Sequence, residues 1–294
     1  MDHVLTLIAT GLEAKCVGRC RNALESLGAD TAAPDWLAPA RAVDIPFAGL
    51  NPCQAVAAAA AKLGAQPVDI VAQPLADRRK MLLVADMDST FVIGETLDEL
   101  AAFAGLRERI AAITARSNNG KVEFAKALRD RVRLMKGLPA DALEQAWRRV
   151  SPMPGARTLI ATMKAHGAFT VLVSGSLAFF TARVKELCGF DRAVANQIEV
   201  ADGHLTGAVC EPILDRGAKL RALLTVAAER KIVMSRTLAV GDGANDIEMI
   251  RAAGLGVAFH ARPIVAVEAQ ACIDHSDLTA LLFLQGYREE EFVA

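Results

Sequence analysis

The chain has 294 residues, of which 53% are hydrophobic and 23% charged, a balance that excludes a disordered chain and allows one large domain plus a smaller one. Lysine and arginine number 33 against 34 aspartates and glutamates, so the net charge of −1 leaves no electrostatic case for a nucleic acid or an anionic membrane as partner. Six cysteines, at 16, 20, 53, 188, 210 and 272, include no C-x-x-C pair, which argues against a zinc knuckle or a disulfide framework; Cys16 and Cys20, one helical turn apart, read as helix packing.

The opening residues MDHVLTLIAT carry no basic region and no small-residue cleavage site, and the alanine-rich stretch from 55 to 64 is interrupted by Lys62 and too short to span a bilayer; a cytoplasmic location is expected. His3 to Ala9, Arg41 to Phe47 and Val68 to Ala72 read as strands, and Ala14 to Leu27 and Pro52 to Leu63 as helices, giving a small α/β module. Gln73, Pro74 and the charged run Asp77 to Lys80 read as a solvated linker, which places a boundary near Arg79 and divides the chain into domains over residues 1–78 and 79–294.

Met81 to Ala85 is a short apolar run bounded by charges, as suits a parallel strand buried on both faces. The same signature returns at Phe169 to Val173, which ends at Ser174-Gly175, and at Thr237 to Val240, which ends at Gly241-Asp242-Gly243. Three such strands alternating with helices, each breaking into a polar loop, predict an open, doubly wound parallel α/β sheet with its ligand site at the strand C-termini. Residues 95–150 read as almost wholly helical, with amphipathic stretches at Leu106 to Thr114 and Val122 to Met135 around the loop Ser117-Asn118-Asn119-Gly120. That segment is too long for a crossover and reads as an inserted helical cap, able to close on a substrate and exclude water.

Asp86-Met87-Asp88-Ser89-Thr90 follows the first buried strand and sets two carboxylates two residues apart, on one face. One carboxylate can attack phosphorus to form an acyl phosphate, and the other can hand a proton to the leaving oxygen. Two anions this close require a cation, for which Mg²⁺ is suited. An isolated D-x-D is more often a pair of solvated turn aspartates, but Gly241-Asp242-Gly243-Ala244-Asn245-Asp246 outweighs that reading: Asp242 and Asp246 can add oxygen ligands, and Asn245 can donate to phosphate oxygens. The spacing of an EF-hand loop is absent. Ser174 and Gly175 offer a hydroxyl and backbone N–H groups at the start of a helix, an anion site that is weak evidence alone. Lys219, on a helix after the loop around Asp215 to Gly217, acquires no role from spacing.

The set D-x-D-x-T (Asp86, Asp88, Thr90), Ser174, Lys219 and G-D-G-x-N-D resembles the haloacid-dehalogenase (HAD) superfamily, and within it the chain looks like the phosphoserine phosphatases from about Gln73 to near its C-terminus. The resemblance implies Mg²⁺-dependent hydrolysis of O-phospho-L-serine to L-serine and phosphate, the last step of L-serine biosynthesis. It makes Asp86 the nucleophile and Asp88 the acid/base, gives the metal to the Asp86 and Asp242 carboxylates and the Asp88 backbone, and gives the phosphoryl group to Ser174, Gly175, Lys219 and Asn245, with Asp246 completing the site. By the same resemblance Glu95 meets the substrate amine and Arg131 its carboxylate, a pairing that suits a zwitterion. Arg129 and Arg133 flank Arg131, so solvated surface charge stays open for all three. Phe124 matches the lid aromatic of the family, while its periodicity also suits the core.

Two positions depart from the family pattern: Asn118 replaces the lid Met, and Ser176 replaces the second glycine of S-G-G, where it is tolerable only with a negative φ. They bear on the substrate before the reaction, and the alternative is a phosphatase or phosphotransferase for another small phosphomonoester. Asp88 argues against a dehalogenase, and the filled catalytic positions argue against a metabolite-binding regulator with a vestigial site. The N-terminal module resembles degenerate ACT-like regulatory domains, with three clear strands where that fold has four. Its expected roles are amino-acid binding, formation of a homodimer, or bracing of the catalytic domain.

Overall fold

The computed structural model describes residues 1–119, 121–214 and 217–294, the side chain of Asn118 excepted, so the expectation attached to Asn118 and the loop positions Gly120, Asp215 and Arg216 lie outside the described residues. The chain forms two compact units, one of Met1–Met81, Pro154–Ala168 and Ala271–Ala294, the other of Leu82–Met153 and Phe169–Gln270.

In the first unit, His3–Ile8 (β1) lies between Ala42–Ala48 (β4) and Asp69–Pro74 (β5), all antiparallel, and Asp30–Thr31 (β2) and Asp35–Ala38 (β3) both pair with β4. β2 and β3 are too short to show a period of two, which is why the sequence reads as three strands. Ala14–Ser26 (α1) and Pro52–Leu63 (α2) cover the sheet: Cys16, Cys20 and Leu24 of α1 and Ala55, Ala59 and Leu63 of α2 close on Leu5, Leu7, Val43, Ile45 and Phe47. Burial pushes the Cys20 thiol up to about 11, the state of an inert packing cysteine. Asn51 caps α2 by accepting the Cys53 amide, with Pro52 at the first helical position.

The run Asp77 to Lys80 is not a solvated linker. Lys80 is buried, and the Arg78 guanidinium donates to both oxygens of the buried Asp44 (2.5 and 2.8 Å), to Thr6 Oγ1 (2.9 Å) and to the carbonyls of Leu284 and Phe283 (2.7 and 3.0 Å). All three guanidinium nitrogens are engaged, among five acceptor atoms, and charge composition alone cannot reveal acceptors that lie far along the chain. The late segments are tied in similarly: the buried Asp69 carboxylate accepts the amides of Asp274, His275 and Ser276 at 2.7, 3.1 and 2.9 Å. The helix Ala156–Ala165 (α7) completes this unit together with the helix Ala280–Leu284.

The second unit holds a parallel sheet in which Leu82–Ala85 (β6) is central, flanked by Thr237–Gly241 (β11) and then Leu255–Phe259 (β12) on one side, and by Phe169–Leu177 (β7) and then Arg192–Asn196 (β8) on the other. All four residues of β6 are fully buried, as a strand covered on both faces must be. Register sets Ala85 beside Val240 and Leu172, so the segments after β6, β7 and β11 leave the sheet at one rim. Helices Ala178–Cys188 (α8), Ala218–Arg230 (α9) and Ile247–Ala252 (α10) connect these strands. Residues 95–150 fold into Thr96–Ala102 (α3), Arg107–Asn118 (α4), Phe124–Leu134 (α5) and Asp141–Trp147 (α6). A hairpin absent from the sequence reading, Ile198–Ala201 (β9) and His204–Val209 (β10), follows β8; its turn, Asp202-Gly203 with both φ positive, is the signal that could have found it. Among the described residues no helix is long and apolar enough to cross a membrane.

Candidate active site

At the end of β6 the Asp86 amide donates to the Val240 carbonyl at 3.0 Å, which ties the first carboxylate to the rim of β11. Ser89 takes a left-handed φ of 59°, and the chain curls so that the Phe91 and Val92 amides return to the Met87 carbonyl at 2.8 and 3.0 Å. That turn fixes Asp86 and Asp88 in their different surroundings.

Oxygens of Asp86, Asp242 and Asp246, all buried, lie within 4.8 Å of one another. Asp246 reaches this position because residue 241 is glycine: a Cβ there would stand 2.3 Å from the Asp246 Cγ. Thr90 Oγ1 donates to Asp242 at 3.3 Å and the Gly243 amide to Asp246 at 3.0 Å. Lys219, near the start of α9 and buried, places its ammonium 2.6 Å from Asp86 Oδ1 and 2.5 Å from Asp246 Oδ1. Burial works to lower the Lys219 pKa, but the Asp246 and Asp86 carboxylates outweigh it and hold the group above its ordinary value, so it stays charged. One ammonium against three carboxylates leaves the cluster negative, and burial, with the Asp86 and Asp246 charges next, raises Asp242 well above the usual carboxylate range. An all-oxygen, anionic donor set of this kind fits a hard divalent cation.

The Asp88 side chain is not part of that cluster. Its Oδ1 accepts the Thr96 amide at 2.7 Å and its Oδ2 the Ser174 hydroxyl at 3.2 Å. Burial, and after it the Asp86 charge, lift Asp88 to about 6 against the pull of these hydrogen bonds, within reach of proton exchange near neutrality. The structure groups the two carboxylates expected at a metal, Asp86 and Asp242, and adds that of Asp246, while the Asp88 carboxylate is held by cap and strand, which leaves its backbone for the metal role the resemblance gives it.

One cleft is lined by Asp86, Asp88 and Asp242, by Glu95, Phe124 and Arg131 from the cap, and by Gly175, Ser176 and Asn245. Ser174 and Lys219 line the adjoining space. All of the site residues expected from the sequence are thus neighbours. Arg131 lies on the buried face of α5 with Ala127, Leu128 and Val132, whereas Arg129 and Arg133 are exposed. Its Nη1 donates to Thr114 Oγ1 at 3.2 Å, and that hydroxyl donates to Asp98 at 2.9 Å. Burial lowers the Arg131 pKa, countered by the charges of Glu95, Asp98 and Asp88. The Phe124 ring lies against Gly175, where a Cβ would come within 2.2 Å of Cζ, so the aromatic packs on the strand end and not in a core. Ser176, inside β7, is not in the left-handed region, which meets the condition set by its Cβ.

Thr96, Asp98 and Thr114 were not singled out by sequence reasoning. Thr96 follows Glu95 directly, but the side-chain partners that give the three a place at the site, Asp88, Ser176 and Arg131 among them, come from other elements.

Residues 83–251 match the family model described as haloacid dehalogenase-like hydrolase. The chain is 40% identical over 259 residues to the phosphoserine phosphatase of Streptomyces coelicolor, covering 87% of this chain and 63% of the relative. It is 41% identical over 206 residues to the phosphoserine phosphatase of Methanocaldococcus jannaschii, covering 70% of this chain and 98% of that one. The chain thus spans less than two thirds of the length of the first relative and nearly all of the second. A solved structure described as a phospho-aspartyl intermediate analogue of phosphoserine phosphatase is similar with a TM-score of 0.67 at 41% identity, over 70% of this chain and 98% of that one.

Proposed function

The chain belongs to the haloacid dehalogenase-like hydrolase family, and from that membership we propose that it hydrolyses O-phospho-L-serine to L-serine and phosphate through an aspartyl phosphate on Asp86. The observation that carries the substrate is the pairing of Glu95 with a buried Arg131 in one cleft above Asp86 and Asp88. A carboxylate and a guanidinium lining the same cleft as the reacting carboxylates suit the ammonium and carboxylate of an amino-acid ester. Buried arginine is costly unless it has a partner, and a surface charge would not be placed there.

In this reading an oxygen of Asp86 attacks phosphorus in line while the bond from phosphorus to the serine oxygen breaks, and Asp88 gives its proton to that oxygen. Water then attacks the phosphorus of the aspartyl phosphate, Asp88 takes a proton from the water, and the bond to Asp86 breaks to release phosphate. Ser174, the Gly175 backbone and Asn245 bind the phosphoryl oxygens, and Lys219, whose ammonium lies against Asp86, steadies the intermediate. The Asp86, Asp242 and Asp246 carboxylates, with the Asp88 backbone, would hold Mg²⁺, which when bound supplies positive charge to the phosphoryl oxygens. Phe124 and the cap helices keep bulk water from the cleft.

The test is phosphate release from L-phosphoserine with and without Mg²⁺, beside phosphothreonine, phosphoethanolamine and an aryl phosphate. Mg²⁺-dependent release that strongly favours phosphoserine and is lost in Asp86→Ala supports the proposal. Comparable rates on all four esters would keep a phosphatase and refute the substrate.

A further inference from the structure

The Asp88 carboxylate closes a ring of hydrogen bonds that includes two residues without a part in the reaction described above. The Thr96 amide donates to Oδ1 at 2.7 Å, the Thr96 and Ser176 hydroxyls lie 2.8 Å apart, the Ser176 amide donates to Ser174 Oγ at 2.9 Å, and Ser174 Oγ donates to Oδ2 at 3.2 Å. All four residues are buried. The two arms of the ring come from different elements: Thr96 opens α3, while Ser174 and Ser176 belong to the end of β7. A carboxyl gripped at one oxygen from each element keeps its direction only while those elements keep their spacing. The hydroxyl pair Thr96–Ser176 is the tie across that spacing. A glycine at 176 would retain the amide that holds Ser174 and lose this tie.

We infer that Ser176 is a positioning residue, which acts through Thr96 to aim the Asp88 carboxyl at the oxygen leaving phosphorus. The inference rests on the reading of Asp88 as proton donor, and its test has to separate the two. Aryl monophosphates without amine or carboxylate isolate proton donation from recognition of the amino acid. The readout is kcat/KM for phenyl phosphate, whose leaving oxygen requires a proton, divided by kcat/KM for p-nitrophenyl phosphate, whose leaving group requires little help. Ser176→Ala and Thr96→Val each lower this ratio about fivefold, the effect of one hydrogen bond, and the double variant lowers it no further than either alone. Thr96→Ser, which keeps the hydroxyl and adds no volume, retains the wild-type ratio.

Equal losses on both esters would mean that the pair only packs the domain, and would overturn the inference, as would independent effects that multiply in the double variant. Asp88→Asn is the control on the underlying reading. If it leaves the ratio unchanged, Asp88 is not the donor; if it lowers the ratio and Ser176→Ala does not, the positioning role alone is refuted. Should Ser176→Ala not fold, Thr96→Val against Thr96→Ser makes the same comparison.

Discussion

The Lys219 ammonium lies 2.6 Å from the Asp86 carboxylate, with both side chains almost wholly shielded from solvent. Removing one partner of a buried pair strands the other, at a cost of about 3–5 kcal/mol. Lys219→Met is therefore expected to lose about that much unfolding free energy in urea titrations of the metal-free protein, along with phosphate release. A variant within about 1 kcal/mol of wild type would show that the ammonium is not needed to neutralise the cluster.

Cation binding should stabilise the fold, because three carboxylates within 4.8 Å share one ammonium. Mg²⁺ at about a hundredfold over its Kd is expected to add about 2.7 kcal/mol, and a chelator to reverse the gain. Asp246→Asn should reduce this stabilisation, while Asp88→Asn, whose carboxylate is held by Thr96 and Ser174, should keep most of it. Equal Mg²⁺-induced shifts of Tm in both variants would contradict the assignment of the cluster.

The arginines of α5 should separate cleanly. Arg131→Ala is expected to raise KM for phosphoserine by tenfold or more, with a smaller change in kcat/KM for an aryl phosphate that has no carboxylate. Arg129→Ala and Arg133→Ala, at exposed positions, should stay near wild type. Arg131→Lys should not restore KM, because a point charge cannot reproduce the planar fork. Steady-state kinetics on the two substrates decides this.

Gly175→Ala drives a methyl to within 2.2 Å of the Phe124 ring. Overpacking of this kind costs about 1–3 kcal/mol, and here it should fall on the contact between Phe124 of the cap and β7. Activity should drop in Gly175→Ala and recover in part when Phe124→Ala is added. Failure of the double variant to recover any activity would trace the defect to the phosphoryl-binding backbone instead.

Arg78→Ala in the first unit should lower stability by about 3–5 kcal/mol, since it leaves the buried Asp44 carboxylate without its guanidinium. Adding Asp44→Asn should return part of the loss by removing the stranded charge. Urea unfolding of the two variants checks both statements, and an exposed arginine's loss of under about 0.5 kcal/mol would refute them.

How far the sequence carried varies with the distance over which each feature is decided. The three apolar runs before Asp86, Ser174 and Asp242 marked buried parallel strands, because such strands are continuous in sequence, but the second does not break at Ser174-Gly175: β7 carries both residues and runs on to Leu177. β12 and β8 complete the sheet but precede no motif, and β2 and β3 are too short for a period to show. The charge run at Arg78 read as solvent-facing because its acceptors, Asp44, Phe283 and Leu284, are remote in the chain.

What the sequence by itself determined is the chemistry on offer: carboxylates two apart at a strand end and a glycine-flanked acidic loop, each legible because it is encoded within a few consecutive residues, whereas Glu95 and Arg131 stand out only through the family resemblance. Only the tertiary structure decided which of those groups act together. It buried Arg131 and exposed its two neighbours, put Asp246 with Asp86 and Asp242 while Asp88 turned to Thr96 and Ser174, and gave Lys219 its partners. Those outcomes depend on distances and on burial between segments far apart in the chain, and local spacing does not contain them.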